Sequence, residues 1–252
     1  MGIAVEVLPF LFAAICTGII LVLVLRLCRL KPTTAFCSGL IFTFVLGAYF
    51  LYFFRDPDRR PPDEPEAIVA AADGKIAGIA PIGKDEFVRI CRQAGMNEEK
   101  LGKLARLTEN DSIRISIFLS LFDVHVNRAP ISGNSDFLGY FPGKRYFTFQ
   151  EKSSVENQHN SIFMRNDKTC CLINQIVGPV ARRVVYWPSH DKTTPLKIGD
   201  RIGMMKFGSR LDVYFPKDDI TVQAREGDVV SAGETVIARL TRRQPADRAG
   251  EN

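Results

Sequence analysis

The run Gly203-Met-Met-Lys-Phe-Gly-Ser-Arg-Leu-Asp-Val-Tyr-Phe215 holds a dipeptide, Gly208-Ser209, with the atoms needed to cut its own chain. A serine hydroxyl can attack the carbonyl just before it and move the acyl group from nitrogen to oxygen as an ester. Elimination from that ester leaves dehydroalanine, and hydrolysis turns this into a pyruvoyl group on the new N-terminus. The result is an electron-accepting ketone made from the chain itself, the service that pyridoxal phosphate gives other proteins. With 19 glycines and 12 serines in 252 residues, about one Gly-Ser pair is expected by chance. Gly-Ser is also ordinary turn chemistry. The dipeptide therefore carries weight only through its surroundings.

A serine nucleophile needs a base, and the base needs an orienting acceptor. The histidines are His125, His159 and His190. In Phe122-Asp-Val-His-Val-Asn127, strand alternation puts Asp123, His125 and Asn127 on one face and Phe122, Val124 and Val126 on the other. That aims the imidazole at a cleft or at solvent; the same pattern also describes a surface strand with an incidental histidine. Asp73, ahead of Gly74, is either the orienting carboxylate or part of a hairpin turn. Asp123 is the other choice, although an i+2 neighbour on a strand points parallel to His125. His159 reads as part of a polar loop, and Cys170-Cys171 as strand packing. Gly208, lacking Cβ, is expected to take unusual dihedrals and to let the serine approach its carbonyl.

The context Ile198-Gly-Asp-Arg-Ile-Gly-Met-Met-Lys-Phe-Gly-Ser-Arg-Leu-Asp-Val-Tyr-Phe-Pro216 resembles the processing region of the phosphatidylserine decarboxylases, in their shorter bacterial and archaeal form. The resemblance extends through Phe54-Arg-Asp-Pro-Asp-Arg-Arg-Pro61, Ala72-Asp-Gly-Lys75, Phe122 to Asn127 and Gly178-Pro-Val-Ala-Arg-Arg183, covering about residues 50 to 240 in order. It implies a proenzyme that cleaves itself between Gly208 and Ser209. Ser209 would become the pyruvoyl cofactor, His125 would be the base for the cut, and Asp73 would orient His125. It also implies that chains 1–208 and 209–252 stay together, with phosphatidylserine as substrate and phosphatidylethanolamine and CO2 as products. Some members carry a substrate-handling histidine three residues before the base; here that position is Phe122, which leaves the substrate carboxylate against apolar surface. Arg182 and Arg183 are candidates for the lipid phosphate, and equally readable as solvated surface charges. Tyr140, Phe141 and Tyr146 suit either a lipid interface or the core.

The elements that must position these groups follow from composition. The formal charge of +5 and pI of about 8.9 suit either an anionic lipid surface or a nucleic acid and decide between neither. No Lys/Arg block or aromatic RNA-binding signature marks a nucleic-acid partner. Six cysteines show no C-x-x-C pair and no metal-like Cys/His spacing, so no metal is expected and a reduced, cytosol-facing protein is the simplest reading. Residues 8–25 and 35–54 form two nearly uncharged runs, each close to the ~20 residues that span a bilayer. Residues 1–54 therefore read as a membrane hairpin. Basic residues on its two sides balance, Arg26, Arg29 and Lys31 against Arg55, Arg59 and Arg60, so charge does not orient it. The resemblance implies attachment to the cell's inner membrane with the catalytic domain on the cytoplasmic face.

Residues 55–66, rich in proline and charge, read as a stiff linker, and 241–252 as a polar tail. Between them, 67–240 is predicted to be a β-rich α+β domain with barrel-sandwich, lipoyl-like character. Asp73-Gly74 is its first hairpin turn, 86–107 a short helix or two, and 161–165, 170–176, 180–187, 211–215 and 235–240 are strands. Val222 to Ile237 has the look of a lipoyl-type turn, although no lysine sits at its tip. Two other functions fit parts of the chain. One is a membrane-anchored adaptor with a lipoyl-like domain, which calls for coiled-coil heptads that are absent. The other is a serine hydrolase using Asp73, His125 and Ser209 without self-cleavage, which lacks a G-x-S-x-G elbow. A homo-oligomer stays open.

Overall fold

The computed structural model describes residues 2–150, 152–179 and 184–241, and divides into two compact units at Asp58/Arg59. In the first unit, α1 (Leu8–Leu27) and α2 (Pro32–Phe53) are long and apolar enough to cross a membrane. Each has proline in its first turn, where the missing N–H costs nothing. The helices meet through small residues. A Cβ on Gly39 would stand 2.9 Å from the Gly18 carbonyl, and a Cβ on Gly18 would run into Thr43, so only glycine allows this approach. Beside them, β1 (Gly2–Ile3) pairs antiparallel with β2 (Arg55–Asp56), so the expected linker begins as a strand.

The strands of the second unit begin with β3 (Ala67–Val69), β4 (Gly74–Ile82), β5 (Ser112–Leu119), β6 (Val126–Arg128), β7 (Gly133–Phe141), β8 (His159–Arg165) and β9 (Cys170–Val177). They continue with β10 (Val185–Tyr186), β11 (Thr194–Leu196), β12 (Arg201–Met204), β13 (Ser209–Pro216), β14 (Ile220–Val222), β15 (Val229–Val230) and β16 (Val236–Leu240). Eight of them form one antiparallel sheet in the order β11-β7-β8-β9-β13-β5-β4-β15, and two three-stranded sheets, β10-β12-β6 and β14-β16-β3, accompany it.

Strand period explains the layers. On β13, Leu211, Val213 and Phe215 join Ile115, Ile117 and Ile173 in a core shared with Ile202 and Ile237 of the small sheets. Tyr214 faces the other way, into a second core made by α3 (Lys84–Gln93), α4 (Glu98–Lys103) and α5 (Ala105–Thr108) with Phe87, Leu104 and Leu107. Buried on both faces, β13 is anchored by side chains worth about 1.5–3 kcal/mol each. The same helix-side face carries a buried polar row: Arg210 Nε donates to Asp212 at 2.7 Å, Arg210 also reaches Ser116 Oγ at 2.8 Å, and Ser161 donates to Asn174 at 2.7 Å.

Three expectations need correcting. Asp73-Gly74 is not a hairpin turn, because β3 pairs with β16 while β4 pairs with β5 and β15; the dipeptide carries the chain from one sheet to another. Residues 122–125 are not strand, because the Asp123 carboxylate turns back to accept from the Ser120 amide at 2.7 Å. His159 is no loop residue. It opens β8, buried, and its ring stacks on Phe141 at 5.4 Å. The segment 86–107 holds three short helices, and Cys170 and Cys171 pack inside β9 as expected.

Candidate functional site

Ser209 is the first residue of β13, fully buried between Leu119 of β5 and Val177 of β9. It shares a face with Leu211 and Val213, so it looks toward the small sheets rather than the helices. Its Oγ has no hydrogen-bond partner among the described residues. A buried hydroxyl left unsatisfied costs about 1–3 kcal/mol, so its placement calls for an explanation beyond packing.

The chain enters Ser209 through two successive left-handed residues, Phe207 at φ 51° and Gly208 at φ 65°. For phenylalanine this conformation is strained by about 1–2 kcal/mol. Gly208 takes the unusual dihedral expected of it, and a Cβ there would meet nothing within 4 Å beyond its own chain neighbours. The close approach lies on the opposite side. A Cβ on Gly178 would stand 2.9 Å from the Gly208 carbonyl oxygen, and that oxygen accepts from Thr148 Oγ1 at 3.3 Å.

His125 leads into β6 and is fully buried, not turned to solvent, because Val124 and Val126 are buried with it. Its Nδ1 lies 2.9 Å from the Asp123 main-chain oxygen. A carbonyl can only accept, so Nδ1 carries a proton, and in the neutral ring Nε2 is the nitrogen with the basic lone pair. His125 is also tied to the segment that leads to Ser209: Met205 donates its amide to the His125 carbonyl at 3.1 Å, and Val126 pairs with Met204.

Asp73 does not meet that imidazole. One of its oxygens accepts from Arg59 at 2.8 Å and the other from the Ala232 amide at 2.7 Å, while Arg59 also holds Glu234 at 2.7 Å. Burial raises the Asp73 carboxyl above its ordinary range, against the pull of the Ala232 amide and Arg59. These contacts lock the turn in which Gly74, at φ 138°, passes so close to Phe118 that a Cβ would collide with its carbonyl. Phe118 adjoins Leu119, the neighbour of Ser209. Of the two groups it is the Asp123 carbonyl that meets the His125 ring, while Asp73 stands at the turn leading into β4, the strand paired with β5.

Phe122 is two-thirds exposed beside Leu121, in the loop that leaves β5 next to Ser209. Phe147 and Phe149 are exposed too, stacked at 5.4 Å on either side of buried Thr148. Arg182 and Arg183 lie outside the described residues. His190 packs on Phe137 at 4.4 Å, and its Nε2 lies 3.2 Å from the Tyr186 carbonyl. The thiols of Cys91 and Cys170 are pushed up to about 12 by burial, which leaves them protonated at neutral pH and inert. Thr148, Gly178 and Arg59 escaped the sequence reading. Only the glycine and the arginine stood inside segments singled out there, and no local pattern marks the threonine.

The family model described as phosphatidylserine decarboxylase matches residues 46–238 of this chain. Among curated proteins, the chain is 38% identical over 219 residues to a phosphatidylserine decarboxylase proenzyme of Solibacter usitatus, covering 85% of this chain and 92% of the relative. It is 37% identical over 206 residues to the proenzyme of that name from Desulfotalea psychrophila, covering 81% and 86%. A third, from Amoebophilus asiaticus, is 37% identical over 214 residues, with 84% of each chain covered.

Proposed function

The chain belongs to the phosphatidylserine decarboxylase family, and we propose that it makes its own catalytic carbonyl by cutting between Gly208 and Ser209. The reaction of the family is decarboxylation of phosphatidylserine to phosphatidylethanolamine and CO2, which makes this chain a carbon–carbon lyase of phospholipid synthesis. One observation carries the self-cleavage reading: a buried, unpartnered Ser209 Oγ follows two left-handed residues, of which Phe207 is strained.

In this reading His125 takes the Ser209 proton at Nε2, and the Asp123 carbonyl keeps the ring in the right tautomer. Asp73 holds the 72–74 turn against β5 and so sets the strand beside the nucleophile. The pyruvoyl group formed at position 209 would serve as sink for the electrons left when the substrate carboxylate departs. The exposed phenylalanines 122, 147 and 149 suit a substrate that stays in a bilayer, and Arg182 and Arg183 remain our candidates for its phosphate. We assign residues 1–54 to a membrane hairpin, 55–66 to a linker and 67–240 to the catalytic domain, on the cytoplasmic side where unpaired cysteines stay reduced.

Denaturing electrophoresis with intact mass tests the cut. Fragments 1–208 and 209–252 should appear, the second blocked to Edman degradation and trapped by an amine with cyanoborohydride. Ser209→Ala should remove both cleavage and CO2 release; CO2 release by that variant would end the reading.

A further inference from the structure

Thr148 sits where no surface loop needs a threonine. Its neighbours Phe147 and Phe149 point outward, 56% and 69% exposed, while Thr148 is 3% exposed and turns its hydroxyl inward to the Gly208 carbonyl oxygen. Three bonds from Asn157 fasten the loop there. Its amide Nδ2 donates to the Tyr146 carbonyl at 2.7 Å and to the Val177 carbonyl at 3.0 Å, and its Oδ1 accepts from the Tyr146 amide at 2.9 Å. Val177 is the β9 residue opposite Ser209, so one buried side chain indexes the loop to the cutting site. From the other end, Ser153 Oγ donates to the Thr148 carbonyl at 3.2 Å. Gly178 leaves the room in which the hydroxyl and the carbonyl oxygen meet.

We propose that Thr148 is a catalytic residue of self-cleavage, the hydrogen-bond donor that stabilises negative charge on the Gly208 oxygen, and that Asn157 positions it. The proposal rests on the self-cleavage reading above. As Ser209 Oγ bonds to the Gly208 carbonyl carbon, its proton passes to the base and the carbonyl π pair moves onto oxygen. Collapse of that adduct restores the C=O, breaks the C–N bond, and leaves nitrogen to take a proton as a free amine beside a new ester. The charge appears only in this step, and the donor already points at the atom that receives it, so little rearrangement is required. The ground-state separation of 3.3 Å is long for a hydroxyl donor and shortens as charge develops. Losing one such donor typically slows a reaction by about 10²–10³-fold.

The experiment follows the full chain, made in a cell-free pulse and chased, with the appearance of 1–208 and 209–252 as readout. Thr148→Val keeps the shape and removes the hydroxyl; cleavage should slow at least tenfold, while Thr148→Ser stays near the parent rate. Hydroxylamine, which cuts an ester as soon as it forms, should not rescue Thr148→Val, because ester formation is the slow step. Combining Thr148→Val with Asn157→Ala should add little to either alone. Parental cleavage in a folded Thr148→Val chain, rescue by hydroxylamine, or additive losses would each overturn the proposal. If Thr148→Val does not fold, judged by circular dichroism, a folded Thr148→Ala carries the same comparison. Cleavage of Ser209→Ala at the same bond would instead sink the underlying reading, whatever Thr148 does.

Discussion

The main-chain amide of Met205 donates to the carbonyl of His125 at 3.1 Å, so the imidazole and the segment that ends at Ser209 hang from one ladder. The proposed base, His125, is positioned by backbone on both sides, through Met205 and through the Asp123 carbonyl at Nδ1. His125→Ala should slow appearance of the two fragments by at least about a hundredfold. Asp123→Asn should slow it less than tenfold, since the acceptor is the peptide oxygen and not the carboxylate. Equal losses in the two variants, timed by gel, would contradict this division of labour.

Gly208 makes a cleaner prediction, because a methyl group there has space but the wrong dihedral. In a Ser209→Ala background, which keeps the chain whole, Gly208→Ala should lower unfolding free energy by about 1–2 kcal/mol. Urea titration with an unchanged m-value checks it. A loss well beyond that range would mean a clash the structure does not contain.

Much of the second unit was legible in its sequence, and the reason is local. Strands near 161–165, 170–176, 211–215 and 235–240 announce themselves by apolar period and turn residues, and they stand at 159–165, 170–177, 209–216 and 236–240. What a period does not contain is the partner. Asp73-Gly74 has hairpin chemistry, yet its flanking strands enter different sheets, and Arg59 finds Glu234 across 175 positions. The alternation at 122–127 is real, but a local Asp123-to-Ser120 bond replaces the strand before it starts. Thr148 reaches Gly208 across 60 positions, a contact only the folded chain creates.

His159 should make stability depend on pH. Burial lowers its imidazole below the usual 6.5, with the Asn157 carbonyl and the Asp212 charge opposing but not reversing the shift. The unfolded chain therefore takes a proton that the folded chain refuses. Stability is full above about pH 6.5 and falls as pH drops from there toward the folded pKa, by at most about 1.4 kcal/mol per pH unit. His159→Gln should flatten that slope in urea titrations of the Ser209→Ala chain between pH 7 and 5. A slope unchanged by the substitution would show the ring is charged or solvated.

The stacked pair Phe147 and Phe149 should matter for bilayer substrate and not for the cut. Phe149→Ser should leave fragment formation intact and raise the apparent KM for phosphatidylserine in vesicles about five- to tenfold, equivalent to roughly 1–1.4 kcal/mol of lost apolar contact. A soluble short-chain substrate should show less than a twofold change. Identical effects on both substrates would assign the ring to the site itself.

The bond before Ser209 lies at the head of a strand in the middle of the large sheet, with β14 and β16 beyond it in a second sheet and β15 paired back to β4. If that bond is cut as proposed, the short polypeptide would still be woven through two layers of the long one, but nothing covalent would bring it back after a melt. Refolding becomes an encounter between two molecules, and the midpoint of unfolding then depends on protein concentration. On that reading each copy is a single-use assembly, prepared once and not recovered by simple refolding after it denatures.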